Sequence, residues 1–304
     1  MARQTSRSIV GVDSIAKALS RDGLTEFNLS GNTHLLVRGD SVKVIQQIPE
    51  KSVDLIITDP PYNRGLDYKV VTDRRKRYYE WCRTWLAECS RVLADNGSFY
   101  LISYPEINAR LLPYVEDELG LKFRRWLTWH YYTNIGHSKR NFTRSQRSIL
   151  FFTRGDDYVF NREQIIQHYK NPEVGKIARR IKAGIAGRAS YDLLHLLDLL
   201  ELNGGVDVEG MVDVLKMNLL KNVSHDRFNK KHPCQLPLPL LELIVRVSTK
   251  KNAVVMDPFA GTFTLAAVAA QTGRNSVGLE INPAYVRLGL KRLKNWELTL
   301  QTKN

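Results

Sequence analysis

Two short apolar runs in this chain each stop at an acidic residue followed by proline. Residues 53–58 end at Asp59-Pro60-Pro61-Tyr62, and residues 253–256 end at Asp257-Pro258-Phe259-Ala260-Gly261. Short β-branched or apolar runs bounded by such breakers read as buried strands. Each is followed by helical spacing. Over residues 78–93, Trp81, Cys82, Trp85, Leu86, Cys89, Val92 and Leu93 fall on one face. Residues 264–271 form an Ala-rich stretch ended by Gly273, and new strands are predicted at 98–103 and 276–279. Strand, helix, strand, twice over, predicts a parallel sheet with right-handed crossovers. Two further strands, at 125–132 and 148–153, are joined by a polar loop and predict an antiparallel pair at the sheet edge. A last helix is expected from Pro283 to Trp296.

The chain of 304 residues has room for about two domains. Residues 1–30 are polar and weakly periodic and read as a loosely packed arm. The α/β pattern occupies 31–153, gives way over 154–228 to helical patterning without a clear strand, and resumes over 229–304. The fold class is therefore α/β, with a mainly helical insertion. Apolar residues make up 43%, enough for a sizeable core. No apolar h-region follows Arg3 and Arg7, and the longest apolar stretch, 253–270, is broken by Asp257, Pro258 and Gly261, so no membrane partner is expected. Three cysteines, Cys82, Cys89 and Cys234, cannot build a disulfide framework and fit a reducing cytoplasm. No His/Cys/Asp/Glu cluster has metal-ligand spacing, so no metal is expected.

The two strand-end motifs carry the chemistry. A glycine-bearing turn between strand and helix, as at Gly261, lets backbone approach a ligand and aims helix N–H groups at it. Glu280 follows Asp257 at close to the spacing of about 20 residues at which an acidic side chain binds ribose hydroxyls. Together they point to an adenosine-type cofactor, with Asp257 facing its cationic or amino end. At the other strand end, neither Pro60 nor Pro61 has an N–H to offer. The Asp59 carboxylate and the Pro60 carbonyl are then two acceptors at one point. That pair suits a planar exocyclic amine, and Tyr62 offers a ring to stack on its base. A proline-terminated strand with a surface tyrosine is the plainer alternative for the tetrapeptide taken alone.

Taken together, Asp59-Pro60-Pro61-Tyr62 and Asp257-Pro258-Phe259-Ala260-Gly261 resemble the S-adenosylmethionine-dependent DNA amino-methyltransferases. The catalytic motif precedes the cofactor motif, which is the permuted β-group order. Gly39-Asp40-Ser41 resembles the family's cofactor-adenine motif. Lys231-His232-Pro233-Cys234-Gln235-Leu236-Pro237 resembles its segment before the cofactor strand, and Glu280-Ile281-Asn282-Pro283 its ribose-binding strand end. The resemblance covers roughly 32–153 and 229–295. It implies a Rossmann-like methyltransferase sheet in permuted order, with 154–228 as a target-recognition domain. It implies that Asp59, Pro60, Pro61 and Tyr62 hold a flipped-out base. It implies that Asp40, Ser41, Asp59, His232, Asp257, Phe259, Ala260, Gly261, Glu280 and Asn282 bind S-adenosylmethionine. The family's adenine-N6 enzymes mostly begin the tetrapeptide with Asp, so site-specific methylation of adenine in double-stranded DNA is the activity implied, of the restriction-modification kind. Cytosine-N4 methylation is the nearest alternative, and an inactive DNA-binding protein on the same fold is another. A cognate restriction endonuclease and a homodimer are left open as partners.

One departure from the family stands out. A second glycine often sits two residues after Gly261, and here the residue is Phe263. A position needing φ > 0 tolerates Phe poorly, so either the turn is adjusted or the pocket is reshaped. Pro233-Cys234-Gln235 matches the nucleophile tripeptide of carbon-5 cytosine methyltransferases, but it precedes the cofactor motif rather than following it. Cys234 therefore reads as a small residue near the cofactor, and His232 as a helix-entry or packing residue before a general base.

Lys and Arg total 45 against 31 Asp and Glu, a net charge of +14. The excess is local. Arg64, Lys69, Arg74, Arg75, Lys76 and Arg77 follow the tetrapeptide. Lys139, Arg140, Arg144 and Arg147 surround Phe142, and a third basic run occupies 162–188. Such loops suit DNA phosphates. Residues 189–215 instead hold only acidic charges in a leucine-rich stretch, read as a helix in the core of the insertion or at a protein contact.

Overall fold

The computed structural model describes residues 11–65, 74–130, 139–168, 173–185, 187–189, 193–194 and 235–301. Nine strands form one sheet: β1 (Leu24–Leu29), β2 (Asn32–Arg38), β3 (Val53–Thr58), β4 (Leu93–Ser103), β5 (Lys122–His130), β6 (Gln146–Thr153), β9 (Leu193–Leu194), β10 (Val254–Asp257) and β11 (Asn275–Glu280). Their order is β1-β2-β11-β10-β3-β4-β6-β5-β9. From β2 to β4 the five strands are parallel, and β6 turns antiparallel to β4 and β5. The expected α/β sheet in permuted order is present, because the β10 and β11 segment lies between β2 and β3.

Period-2 alternation divides the core. Ile56, Phe99, Leu101 and Met256 face α3 (Tyr78–Val92), whose Cys82, Trp85, Leu86, Cys89 and Val92 are buried against them. Leu55, Ile57, Tyr100 and Val255 face the opposite layer, formed by α6 (Leu238–Ser248) and α7 (Thr264–Thr272). From β3 the chain crosses through α3 to β4. From β10 it crosses through α7 to β11, on the other side of the sheet. Strand order therefore reverses between β3 and β10, and a crevice opens at their carboxyl ends.

Three expectations are corrected. Residues 11–30 are not a loose arm. Val12, Ile15 and Leu19 of and beside α1 (Val12–Ala18) are buried in the α3-side core, and β1 pairs with β2 through a tight turn at Ser30-Gly31, both with positive φ. The apolar spacing of that helix is real but only two turns long, so it is faint in the sequence. The insertion is not free of strands: β7 (Ile166–His168) and β8 (Gly187–Ala189) form an antiparallel pair, with the helix α5 (Gly175–Lys182) between them in sequence. Leu193 and Leu194, expected in a helix, form β9 instead and pair with Thr128 and Trp129, which satisfies backbone groups on the open edge of β5. The rest of the acidic stretch, 190–192 and 195–215, lies outside the described residues.

Phe263 resolves the question raised by the missing glycine. It adopts φ 56° and ψ 44°, the left-handed conformation the turn requires, just before α7. Its ring points away from the crevice into a core of Leu36, Ala266, Val286 and Leu293. Two glycines make room for it: Gly278 in β11 and Gly289 in α8 (Pro283–Gln301). The turn is kept, and its left-handed strain of roughly 1 kcal/mol or more is offset by burial of a whole aromatic ring.

A Cβ at position 289 would lie 2.4 Å from Phe263 Cδ2. Gly→Ala inside a helix ordinarily stabilises by about 1 kcal/mol. Gly289→Ala should instead destabilise, by about 1–3 kcal/mol, because the ring has nowhere to go. Urea unfolding of the two proteins checks the sign.

Candidate active site

Asp59 leaves β3 and Asp257 ends β10, so the two carboxyls sit at neighbouring strand ends. One cleft is lined by both, and by Pro60, Pro61, Tyr62, Asp40, Ser41, Phe259, Ala260, Gly261, Glu280 and Asn282. The structure thus gathers every site residue expected from the sequence except His232, which lies outside the described residues, as does Cys234.

Backbone amides organise the cofactor-motif side. Glu280 Oε2 accepts from the Gly261 N–H at 2.9 Å and Oε1 from the Asn282 N–H at 2.7 Å. Asp257 Oδ1 accepts from the Phe259 N–H at 2.9 Å. Asp40 caps α2 (Ser41–Ile45), accepting from the Val42 N–H, and the Ser41 hydroxyl donates to the Pro258 carbonyl. The Phe259 ring packs edge-on against Trp85, with centroids 5.2 Å apart. Thr262 Oγ1 is buried beside the cleft with no hydrogen-bond partner among the described residues.

The tetrapeptide side is held differently. Tyr78 donates its hydroxyl to the Pro61 carbonyl at 2.7 Å, fixing the proline turn to α3. The Tyr62 hydroxyl donates to Asp59 Oδ1, and its ring lies 4.6 Å from that of Tyr104. Arg147 donates to the Tyr62 hydroxyl, with Nη1 3.5 Å from Asp59 Oδ1. Arg147 is therefore not the phosphate-facing residue the basic run suggested; it is 5% exposed. Arg144 is also engaged, with Glu106 of α4 (Pro105–Pro113) and over the Tyr104 ring.

Burial sets the ionisation of the cleft. It pushes Asp59 up to about 6 despite the nearby Arg147 guanidinium. It pushes Asp257 up to about 8, partly countered by the Phe259 N–H and reinforced by the charges of Asp59 and Glu280. Glu280 rises to about 7, again through burial, against the backbone N–H groups it accepts. Three carboxyls converging on one cavity make it a receptor for positive charge.

Several residues of the site were not singled out from the sequence. Arg147 follows the alternation of β6, sharing a face with buried Ile149 and Phe151, and that parity was the available signal. Arg75 and Trp81 line the cleft together, the guanidinium 4.3 Å from the indole. Buried Arg292 donates to Thr264 Oγ1 at 2.6 Å and to Gln235 Oε1 at 2.9 Å. It ties the start of α7 to the segment entering α6, and nothing local in the sequence marks it.

The family model described as DNA methylase, for N6/N4 methyltransferases, matches residues 53–291. The chain belongs to this family of DNA methyltransferases. Among its relatives, the DNA adenine methyltransferase YhdJ of Escherichia coli K12 is 29% identical over 279 residues, covering 90% of this chain and 87% of that protein. The Type II methyltransferase M.BglII of Bacillus subtilis is 30% identical over 272 residues, covering 85% and 68%. Among solved structures, the cytosine-N4-specific PvuII DNA methyltransferase shares the fold with a TM-score of 0.61 at 18% identity, covering 85% of this chain and 86% of that one. The M1.HpyAVI complex with SAM aligns with a TM-score of 0.57 at 20% identity, covering 85% and 98%.

The raised carboxyls carry a pH signature. A carboxyl whose folded pKa lies above its unfolded value stabilises fully below the unfolded value, near ~4, and loses that contribution as pH rises through the folded value. The ligand-free protein should therefore lose stability between about pH 4 and about pH 8, the fall easing as pH passes about 6, 7 and 8, where Asp59, Glu280 and Asp257 in turn are ionised. Asp257→Asn should flatten the upper part of that fall. Urea midpoints across this range measure both.

Proposed function

We propose that this chain transfers a methyl group from S-adenosylmethionine to the N6 amine of adenine in duplex DNA, on a base turned out of the helix. The observation that carries the reading is the opening of Asp59-Pro60-Pro61-Tyr62 and of the Asp257 turn into one cleft at the strand-order reversal. The Asp that leads the tetrapeptide, and the similarity to a relative named as an adenine methyltransferase, favour adenine.

The cleft suits the donor. Its three carboxyls match a sulfonium and an ammonium group, Glu280 retains lone pairs for a ribose diol, and Phe259 supplies an apolar ring. Thr262 Oγ1 is a buried hydroxyl without a partner among the described residues. Asp257 would face the cationic end, Glu280 with Asn282 the ribose, and Asp40 with Ser41 the adenine. When bound, the donor supplies a methyl group already activated toward a nucleophile by the sulfonium.

The chain's own residues then have two tasks. Asp59 and the Pro60 carbonyl accept the two N–H bonds of the amine, which fixes the direction of its nitrogen and raises the electron density there. Asp59 also accepts the proton that the nitrogen sheds after transfer. With the reacting atoms held in line, positioning provides most of the rate, and neither a nucleophilic side chain nor Cys234 is needed. Taking the base out of the stack costs a few kcal/mol, which contacts to the rest of the duplex must supply.

Arg74, Arg75, Lys76 and Arg77 follow the tetrapeptide in the chain and are exposed, Arg75 also lining the cleft, and with exposed Lys139 and Arg140 they suit phosphates. Phe142, 97% exposed, stands among the second group. In the insertion at 154–228, read here as the target-recognition segment, α5 exposes Lys176, Arg179, Arg180 and Lys182 to the same kind of partner.

Expression in a host free of DNA methylation, followed by genome sequencing for modified bases, should reveal N6-methyladenine in one sequence context. N4-methylcytosine alone, or no modified base, would overturn the reading. Asp59→Ala should cut transfer of labelled methyl by about 10²–10³-fold while DNA binding persists. Neutralising Arg74, Arg75, Lys76 and Arg77 together should flatten the fall of log affinity with log salt by about 2 or more, given about 0.9 per phosphate contact.

A further inference from the structure

Arg147 lies second in β6, directly across from Trp129 of β5. Its guanidinium sits over the rings of Tyr62, Tyr104 and Trp129, at 4.7, 5.4 and 5.9 Å from their centroids. A planar cation packed among three rings has little freedom of direction. Its Nη1 is 3.5 Å from Asp59 Oδ1. The Tyr62 hydroxyl bridges the two groups: it donates to Asp59 and accepts from Arg147. The site thus holds an acceptor beside a donor, side by side as on the pairing edge of a base.

We propose that Asp59 and Arg147 read the flipped base as a pair, Asp59 taking the amine N–H and Arg147 Nη1 donating to the lone pair of the ring nitrogen next to that amine. This rests on the amine-methylation reading above. Adenine presents N6–H beside the N1 acceptor, and cytosine N4–H beside the N3 acceptor. Guanine and thymine present the inverse, a carbonyl oxygen beside an N–H. Against either of these, Asp59 would meet an oxygen and Arg147 a proton, leaving two buried charges mispaired. The Tyr62 hydroxyl makes the same two hydrogen bonds the base edge makes. Its departure on base entry therefore leaves neither charge without a partner, and its ring becomes available for stacking. A donor at the ring nitrogen withdraws electron density, so the contribution of Arg147 is selection and placement, not nucleophilicity.

Substrate analogues separate this contact from mere structural support. kcat/KM is measured on duplexes carrying adenine, 7-deazaadenine or 1-deazaadenine at the target position. The 7-deaza base keeps the pairing edge and should match adenine within about threefold, whereas the 1-deaza base lacks the acceptor and should fall by about 10²-fold or more. Removal of N1 also weakens pairing with thymine and eases flipping, which works against the expected loss. In Arg147→Met, the ratio of adenine to 1-deazaadenine should collapse to within about threefold, whatever its overall rate. Arg147→Lys, which keeps a cationic donor, should retain part of the discrimination. Equal use of adenine and 1-deazaadenine by the unmodified protein overturns the inference even if Arg147→Met does not fold. An unchanged ratio in folded Arg147→Met overturns it too. If methyl transfer occurs only to cytosine, the adenine reading fails and the inference is decided on cytosine against 3-deazacytosine, with the same loss expected. Transfer to neither base overturns both.

Discussion

Two strands some two hundred residues apart in sequence, β3 and β10, hydrogen-bond side by side, and the rest of the molecule depends on that pairing. The register sets Leu55 beside Val255 and Ile56 beside Met256. It is reinforced where the Asp54 carboxylate accepts the Val254 N–H at 2.8 Å. Because the side-chain period of a strand is two, a slip of one residue would exchange the faces packed against α3 and α7. Hydrophobic burial on two sides therefore locks a register whose functional product is polar: Asp59 and Asp257 at adjacent strand ends, close enough for the Asp59 charge to oppose ionisation of Asp257.

That product runs against the grain of folding. Burying three carboxyls in one cavity is unfavourable, and the fold meets the cost with backbone N–H groups at Gly261, Phe259 and Asn282 and with the buried Arg147 guanidinium beside Asp59. The two halves of the cleft solve the problem differently. On the cofactor-motif side, main-chain dipoles support Asp257 and Glu280. On the tetrapeptide side, a side-chain cation and a tyrosine hydroxyl support Asp59. In the proposed reaction, methyl donor and amine acceptor would thus approach from two electrostatically distinct walls.

What could be read from the sequence was whatever is local. Strand ends marked by proline, and acidic residues at fixed distance from a glycine turn, are properties of short segments, and the residues so marked meet in one cleft. What escaped was whatever depends on partners distant in the chain. Arg147 looked like one more member of a basic run, and only pairing with β4 and β5 turns it inward. Arg292 acquires its role by reaching Thr264 and Gln235 from the last helix. Phe263 was legible as an anomaly but not as a solution, since the glycines that accommodate it, Gly278 and Gly289, lie on two other elements. Residues 11–30 were misjudged because a two-turn helix and a six-residue edge strand leave little periodicity to detect.

The permuted strand order also bears on synthesis. β10 and β11 are made late, yet they belong in the middle of the sheet, between β2 and β3. While the ribosome is still completing the chain, β2 and β3 have no neighbour on their inner edges. The emerging polypeptide must keep two hydrogen-bonding edges and the apolar faces beside them apart from other nascent chains until the closing strands arrive. A permuted sheet of this kind cannot fold progressively from its N-terminus; it closes like a gap filled from the far end, and the cleft between β3 and β10 comes into being only with that last insertion.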